Sequence, residues 1–478
     1  MAIHGALAAG DIVFGDVNVE GLNVRHLAPD LDRAEIAQLA QRTRELFDAL
    51  AARFGETIRA FVNLFFETSI LPIASYAHSL ERLVHELRAD GAECEVTFPG
   101  RLEPVRFGST FFLAEHETQG RLLYRRNQVF QPYLEVLCQR LNVFVTYHGA
   151  WESSSLTSRA LLRRGLTWGL RSAFAAAKKA RSLVESPSVL PASFDVIAIS
   201  RLPTKSEYVM PLLAQPDMSG HLIVAENFLN FSRNSAFAAL LNRGTSVTTS
   251  GLPQAGAGEM IAEYAKGFAR SSQAGQSVIF DSSVVTIDLT SAVAEMLVNY
   301  PDLLLYRSAV EQALTELPKP RHNLLLSMEQ KSPHAYVDAA VAKALGYRCF
   351  HLMEADQSDI PIPVPVFGDL LVVESRRALE GFRAGWPEER ERLAFFGSFR
   401  GAAAALQPRT LGPGAKGRWC FFTSADAKKD VPVLKELIAA AQSAGKDLVV
   451  KLHPRDAAVK YARFSGFELV PDGSVPKR

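Results

Sequence analysis

The chain has little that would staple or anchor it. Its four cysteines, Cys94, Cys138, Cys349 and Cys420, lie far apart with no CxxC pair. That spacing argues against a zinc site and a disulfide framework, and it fits a reducing compartment. There is no run of about 18 uncharged apolar residues, the length a membrane span needs. The N-terminus lacks the basic-then-apolar order of a secretory signal. Neither sign of charge dominates: 52 Lys and Arg against 51 Asp and Glu leave a formal charge of +1. No long-range field therefore draws nucleic acid, and any anion binding has to be local. Walker A and GxSxG signatures are missing, as is a clear acidic cluster that would hold a metal. These absences predict a cytoplasmic protein with no metal, no cofactor and no nucleic-acid partner.

What is present is core-forming sequence. A hydrophobic content of 48% with 22% charged residues describes a well-cored globular chain, and 478 residues are too many for one ordinary core. Strand-then-helix spacing recurs along the chain, the pattern of a doubly wound α/β fold. We expect an extension or helix over 1–57, a large Rossmann-like domain over 58–400, a Gly- and Pro-rich linker over 401–417, and a short second Rossmann-like domain over 418–478. In the first domain, Ile58–Phe66 reads as a buried strand and Glu67-Thr68-Ser69 as its exit loop. A helix over 73–88 and a strand from Cys94 to Phe98 would complete a βαβ unit, whose first turn lacks GxGxxG. Further strands are predicted at Val143–Gly149, Phe194–Ser200, His221–Ala225 and Ser277–Phe280. A helix is expected over 203–214 and a loop over 244–258. The most regular alternation runs from Pro320 to Gly401, with strands at Asn323–Ser327, Arg348–Leu352 and Gly368–Val373. Residues 156–183 carry seven basic side chains and no acid. Interleaved with leucines and aromatics, they read as a basic amphipathic helix, either a solvated face or, over 159–181, a contact with an anionic membrane surface.

Near the C-terminus, Gly445 ends a helix, Asp447–Leu452 reads as a strand, and Lys451, His453, Pro454 and Arg455 cluster at its exit. A cation and an imidazole at the carboxyl end of a parallel strand suit an anionic ligand. Thr423 and Ser424 lie in the turn after the preceding strand, where they can donate to phosphate at a helix start.

Three stretches together resemble a family: Arg348–Ser375, with Glu374-Ser375 at a strand exit; Pro387–Leu393 leading to Gly397-Ser398-Phe399-Arg400; and Lys451-Leu452-His453-Pro454. They are similar to GT-B glycosyltransferases of the bacterial surface-polysaccharide type that carry an HP motif, among them sialic acid and Kdo transferases and CDP-glycerol glycerophosphotransferases. The resemblance implies two Rossmann-like domains facing a cleft, a CMP- or CDP-linked sugar donor, and a glycan or lipid-linked acceptor. It implies that His453 meets the donor phosphate or ribose and that Pro454 fixes the turn. Phe399 stands where the family commonly has Pro, and the family usually continues for a hundred or more residues beyond this point, so the second domain reads as truncated. The other readings are a UDP-sugar GT-B enzyme or 2-epimerase-like protein, and a non-catalytic binding or scaffold protein.

Such a transfer needs a base for the acceptor hydroxyl and donors for the departing phosphate. Glu67 ranks first as the base, against the plainer reading of a loop carboxylate. His148, at the end of the 143–149 strand, ranks second, against a satisfied core histidine. His351, Glu354, Asp356, Glu374 and Ser375 are cleft candidates at strand exits. Glu115-His116-Glu117 resembles a cluster, but three consecutive side chains cannot all face one way.

Overall fold

The computed structural model describes residues 12–14, 23–25, 31–89, 91, 95–98, 134–147, 193–201, 213, 218–225, 247–253, 255–273, 278–328, 332–353, 362–397, 418–423, 427–452, 458–461 and 464–470. The predicted helices over 156–183 and 203–214 and the linker thus lie wholly or largely outside the described residues. Two compact units are separate, Met1–Ala404 and Ala405–Arg478.

Small pairs account for six strands of the first unit. β1 (Ile12–Phe14) runs parallel to β2 (Asn23–Arg25), β3 (Glu95–Phe98) runs parallel to β4 (Phe144–Tyr147), and β8 (Ile279–Asp281) runs antiparallel to β9 (Thr286–Asp288). The other seven build one parallel sheet: β5 (Val196–Ser200), β6 (Gly220–Val224), β7 (Val247–Gly251), β10 (Leu324–Ser327), β11 (Arg348–Leu352), β12 (Leu370–Val373) and β13 (Leu393–Phe395). Their order is β13-β12-β11-β10-β5-β6-β7. The chain starts in the middle, moves to one edge, then returns to build the other half. This is the doubly wound pattern, and its reversal falls between β5 and β10.

Both faces of the sheet are buried, which is why its inner strands are continuously apolar. Ile197, Ile199, Ile223 and Leu325 face one core, and Val196, Ala198, Leu222 and Leu326 face the other. The first core is shared with α1 (Arg33–Phe54), whose Leu39, Phe47 and Leu50 are buried. Each such side chain contributes about 1.5–3 kcal/mol. Asp32 starts α1 with a reciprocal capping box: its carboxylate accepts from Glu35 N and Glu35 accepts from Asp32 N, both at 2.8 Å.

The expected strand at Ile58–Phe66 is helical instead. A 3-10 turn at Glu56–Phe61, α2 (Val62–Phe65) and a π turn at Phe66–Ile70 run directly into α3 (Leu71–Ala89). The βαβ unit built on that strand does not exist, and β3 pairs with β4. The run looked like a buried strand because its apolar residues Ile58, Ala60, Phe61, Val62, Phe65 and Phe66 are all buried. A helix buried on most sides shows no 3.6-residue period, and length is then the better guide. A second correction concerns the loop over 244–258, where Val247–Gly251 is the edge strand β7. Two long helices follow the sheet's first half, α4 (Ala257–Gln273) and α5 (Thr290–Glu316). They approach closely where Gly267 faces Pro301, since a Cβ at 267 would run into the proline ring. α6 (Pro333–Ala344) and α7 (Arg376–Gly385) complete the first unit.

The second unit is a three-stranded parallel sheet, β14 (Trp419–Phe422), β15 (Leu448–Lys451) and β16 (Glu468–Val470), in that order. α8 (Ala427–Ser443) links β14 to β15, and its Leu434 and Ala441 pack against Leu448, Val450 and Tyr461.

Candidate functional site

In an open parallel sheet, ligands bind outside the carboxyl ends of the strands, at the point where strand order reverses. Here that point lies between Ser200, the last residue of β5, and Ser327, the last of β10. Both serines are buried. After β10 the chain turns into α6, which Ser332 caps by accepting from Ala335 N at 3.3 Å, with Pro333 in the first turn. This start delivers His334 to the carboxyl edge. Arg201, one residue beyond β5, donates from Nη1 to His334 Nδ1 at 2.7 Å. A guanidinium has no acceptor, so Nδ1 must accept and the neutral ring carries its proton on Nε2.

A chain of contacts from the strand end holds that imidazole. Tyr306 of α5 stands edge-on to it, with ring centroids 4.5 Å apart at 82°. The Tyr306 hydroxyl donates to Asp338 Oδ1 at 2.8 Å, and the Ser327 hydroxyl donates to Asp338 Oδ2 at 2.8 Å. His334 and Asp338 are four residues apart on α6 and so share a face. Alongside, Arg307 donates to the Thr57 hydroxyl at 2.6 Å and the Tyr336 hydroxyl donates to Glu56 O at 3.4 Å. Burial, with the Glu56 carboxylate adding to it, raises the Tyr336 phenol above its usual pKa and keeps it a donor.

Residues 362–368, which lead into β12, are pinned through their backbone. Asn63, fully buried in α2, donates to Val364 O at 2.6 Å and accepts from Val364 N at 2.9 Å. Arg44 donates to Pro363 O, Trp386 Nε1 to Ile362 O at 3.2 Å, and Arg392 to Val366 O at 2.9 Å and to Gly368 O. Gly368 is required, because a Cβ would collide with the Cys349 carbonyl. Over 362–368 the backbone is thus held at five carbonyls and one N–H.

In the second unit, the ends of β14 and β15 lie side by side. Phe422 pairs with Lys451, and Thr423 N donates to Lys451 O at 3.0 Å. Thr423 is buried and Lys451 half-buried. A hydroxyl and an ammonium at adjacent strand ends, just before a helix, can meet a phosphate.

His148, Glu354, Asp356, Ser424, His453, Pro454 and Arg455 fall outside the described residues, as does Glu115-His116-Glu117. Glu67 lies in the π turn and is half-buried; it follows no strand, so the reason for ranking it first is gone. His351 is not at an open strand exit. It is fully buried within β11, with Nε2 3.6 Å from Cys349 Sγ. Burial also pushes the Cys349 thiol well up, which makes it inert rather than half of a reactive pair. Ser375 caps α7 by accepting from Ala378 N at 2.9 Å, and Glu374 beside it is half-buried at the end of β12. Arg201, His334, Tyr306 and Asp338 were not singled out from sequence. The available signal was the helix start Ser332-Pro333, five residues after the end of a buried strand.

No family model matches the chain, and no curated protein matches it. Among solved structures, it is loosely similar to a UDP-N-acetylglucosamine 2-epimerase from Rickettsia bellii, at 13% identity and TM-score 0.33 over 58% of this chain and 69% of that one. A UDP-glucosyltransferase from Polygonum tinctorium capable of glucosylating indoxyl aligns at 14% identity and TM-score 0.31, over 60% and 73%. A UDP-GlcNAc 2-epimerase from Methanocaldococcus jannaschii aligns at 12% identity and TM-score 0.29, over 58% and 72%. Superpositions this loose match some strands and helices without establishing kinship.

Proposed function

We propose that the chain is a nucleotide-sugar enzyme of the GT-B type, with the nucleotide held by the second unit and the acceptor or sugar chemistry carried by the first. The observation that supports this most is that one chain holds two separate parallel α/β units, each ending its strands in groups suited to oxygen ligands. In the second unit these are Thr423 and Lys451; in the first they are Arg201 and His334. In this reading Lys451 offsets the charge of the departing phosphate, and Thr423 donates to it. His453, through its HP resemblance, is assigned to the same phosphate or the ribose. Glu67 stays a proposed base only on its position one helical turn beyond Asn63.

Two donor nucleotides separate in one test. A cytidine nucleotide follows from the Lys451–Pro454 resemblance, and a uridine nucleotide is named for the substrates of the loosely similar solved structures. Titration calorimetry of the full chain against UDP, CDP, CMP and ADP should show one pyrimidine nucleotide binding, with a loss of about tenfold in Lys451→Ala, as for one charge-assisted hydrogen bond. Binding of none of the four, or binding indifferent to Lys451, would remove the reading.

A further inference from the structure

Three part-buried guanidiniums lie where α4, α5, α6 and the 3-10 turn at Glu56–Phe61 meet, and they are not satisfied alike. Arg59 is paired with acids: its Nε lies 3.0 Å from Asp48 Oδ1, and its Nη1 meets the Glu56 carboxylate. Arg307 of α5 meets no carboxylate among the described residues. Its hydrogen bond runs from Nη1 to the Thr57 hydroxyl, a buried and neutral partner, at 2.6 Å. Arg270, in the last turn of α4, lies over the Tyr300 ring at 5.5 Å, and Glu263 Oε2 is 3.9 Å from its Nη1. That separation is too long for a hydrogen bond, and Nη1 is buried with no hydrogen-bond partner among the described residues. A guanidinium drawn out of water without an acid to replace it bears an uncompensated cost.

Tyr300 relates the two to each other. Arg307 lies two turns beyond it on α5 and so shares its face. The Tyr300 hydroxyl reaches only long bonds, to Phe54 O at 3.3 Å and Gly55 O at 3.5 Å, beside the turn that carries Thr57. Burial raises its pKa, against the pull of the Thr57 hydroxyl and of both Arg270 and Arg307, so the phenol stays an O–H donor. Tyr336 of α6 is likewise a donor on a long bond, to Glu56 O at 3.4 Å. Cations and neutral donors thus gather at one place with fewer acceptors than they can serve.

We propose that Arg307 and Arg270, with the Tyr336 hydroxyl, form a binding site for an oxyanion, a carboxylate or phosphate group, in the first unit. Arg307 supplies the charge and a planar fork of donors that matches either group. Arg270 supplies its Nη1 donors, held in place by the Tyr300 ring. Tyr336 exchanges its long bond to Glu56 O for a shorter one to the anion. The site stands on these residues alone and does not rest on the function proposed above.

The test uses the full chain, with methyl phosphate and acetate as separate probes in calorimetric or NMR titrations at low salt. At least one should bind, and the tighter of the two identifies the oxyanion. Arg307→Gln should weaken it about tenfold, as for one charge-assisted contact, Arg270→Gln several-fold, and Tyr336→Phe about twofold. Arg307→Lys keeps the charge and a donor for Thr57 but loses the fork; it should melt with the wild-type chain and still bind more weakly. Failure of the wild-type chain to bind either probe would overturn the site, as would wild-type affinity in both Arg307 variants. Lys451→Ala should bind the probes as the wild-type chain does, whether or not it binds nucleotide, so this proposal and the preceding one fail separately.

Discussion

Two histidines at opposite ends of one sheet, His221 on a strand and His334 on the helix α6 that follows β10, are held in different ways. His221 sits near the amino end of β6, fully buried, and both of its nitrogens are engaged. Nδ1 meets the Thr248 hydroxyl at 2.7 Å and Nε2 the Ser250 hydroxyl at 2.8 Å, both on the edge strand β7. Phe194 packs against its ring at 5.0 Å. His334, at the carboxyl edge, is half-buried and held by an arginine. The first imidazole fastens an edge strand that is otherwise rich in Thr and Ser. The second is held by Arg201 and the Tyr306 ring at the carboxyl edge of the sheet. In this sheet the amino end spends its polar groups on holding strands together, and the carboxyl end holds polar groups in position.

The contrast can be broken most directly by substitution. His221→Ala opens a cavity beside Phe194 and strands two hydroxyls, so urea unfolding should report a loss of about 3 kcal/mol. His334→Gln should cost under about 1 kcal/mol. Equal losses would end the distinction. Acid should act on the same residue. Burial lowers the His221 pKa to about 4 from an ordinary 6.5. Between those values the unfolded chain takes up a proton that the folded one refuses. The stability contribution is therefore complete above about pH 6.5 and falls as pH drops toward 4, by about 3 kcal/mol in all. In His221→Leu that component of the pH profile should vanish; an unchanged profile would assign it elsewhere.

Smaller effects refine the carboxyl edge. Asn63→Ala would remove both side-chain bonds to Val364 and leave its backbone N–H and carbonyl without them, at about 2 kcal/mol, with faster amide exchange confined to 362–368. Exchange rising throughout the unit instead would make Asn63 an ordinary core residue. The Ser69 hydroxyl, in the π turn, is fully buried and has no hydrogen-bond partner among the described residues. Ser69→Ala should therefore be neutral or stabilising by up to about 1 kcal/mol. A clear destabilisation would show that the hydroxyl contributes to stability.

Much of the sheet was legible because its central strands obey simple rules. Leu324–Ser327, Arg348–Leu352 and Leu370–Val373 are apolar runs closed by turns or helix caps, and the structure has strands at all three. The same holds for Leu448–Lys451, within the strand expected at Asp447–Leu452. Val247–Gly251 was illegible because an edge strand need bury little and its Thr248 and Ser250 look like loop. α5 was illegible because it is apolar on several sides and contains Pro301, so neither period nor composition announces a helix. Ile58–Phe66 was misread for the related reason that nearly every position is buried. The site was harder still. Arg201 and His334 are separated by more than a hundred residues and meet only because β5 and β10 are neighbours. No local pattern encodes that pairing. It follows from strand order, which the spacing of strands and helices leaves open.

The most direct test follows amide hydrogen exchange across the full chain with and without UDP or CDP, whichever binds. A nucleotide-sugar enzyme built as described should show slowed exchange over 420–423 and 448–452 on nucleotide binding. Exchange at 420–423 and 448–452 unaffected by a bound nucleotide would contradict the account.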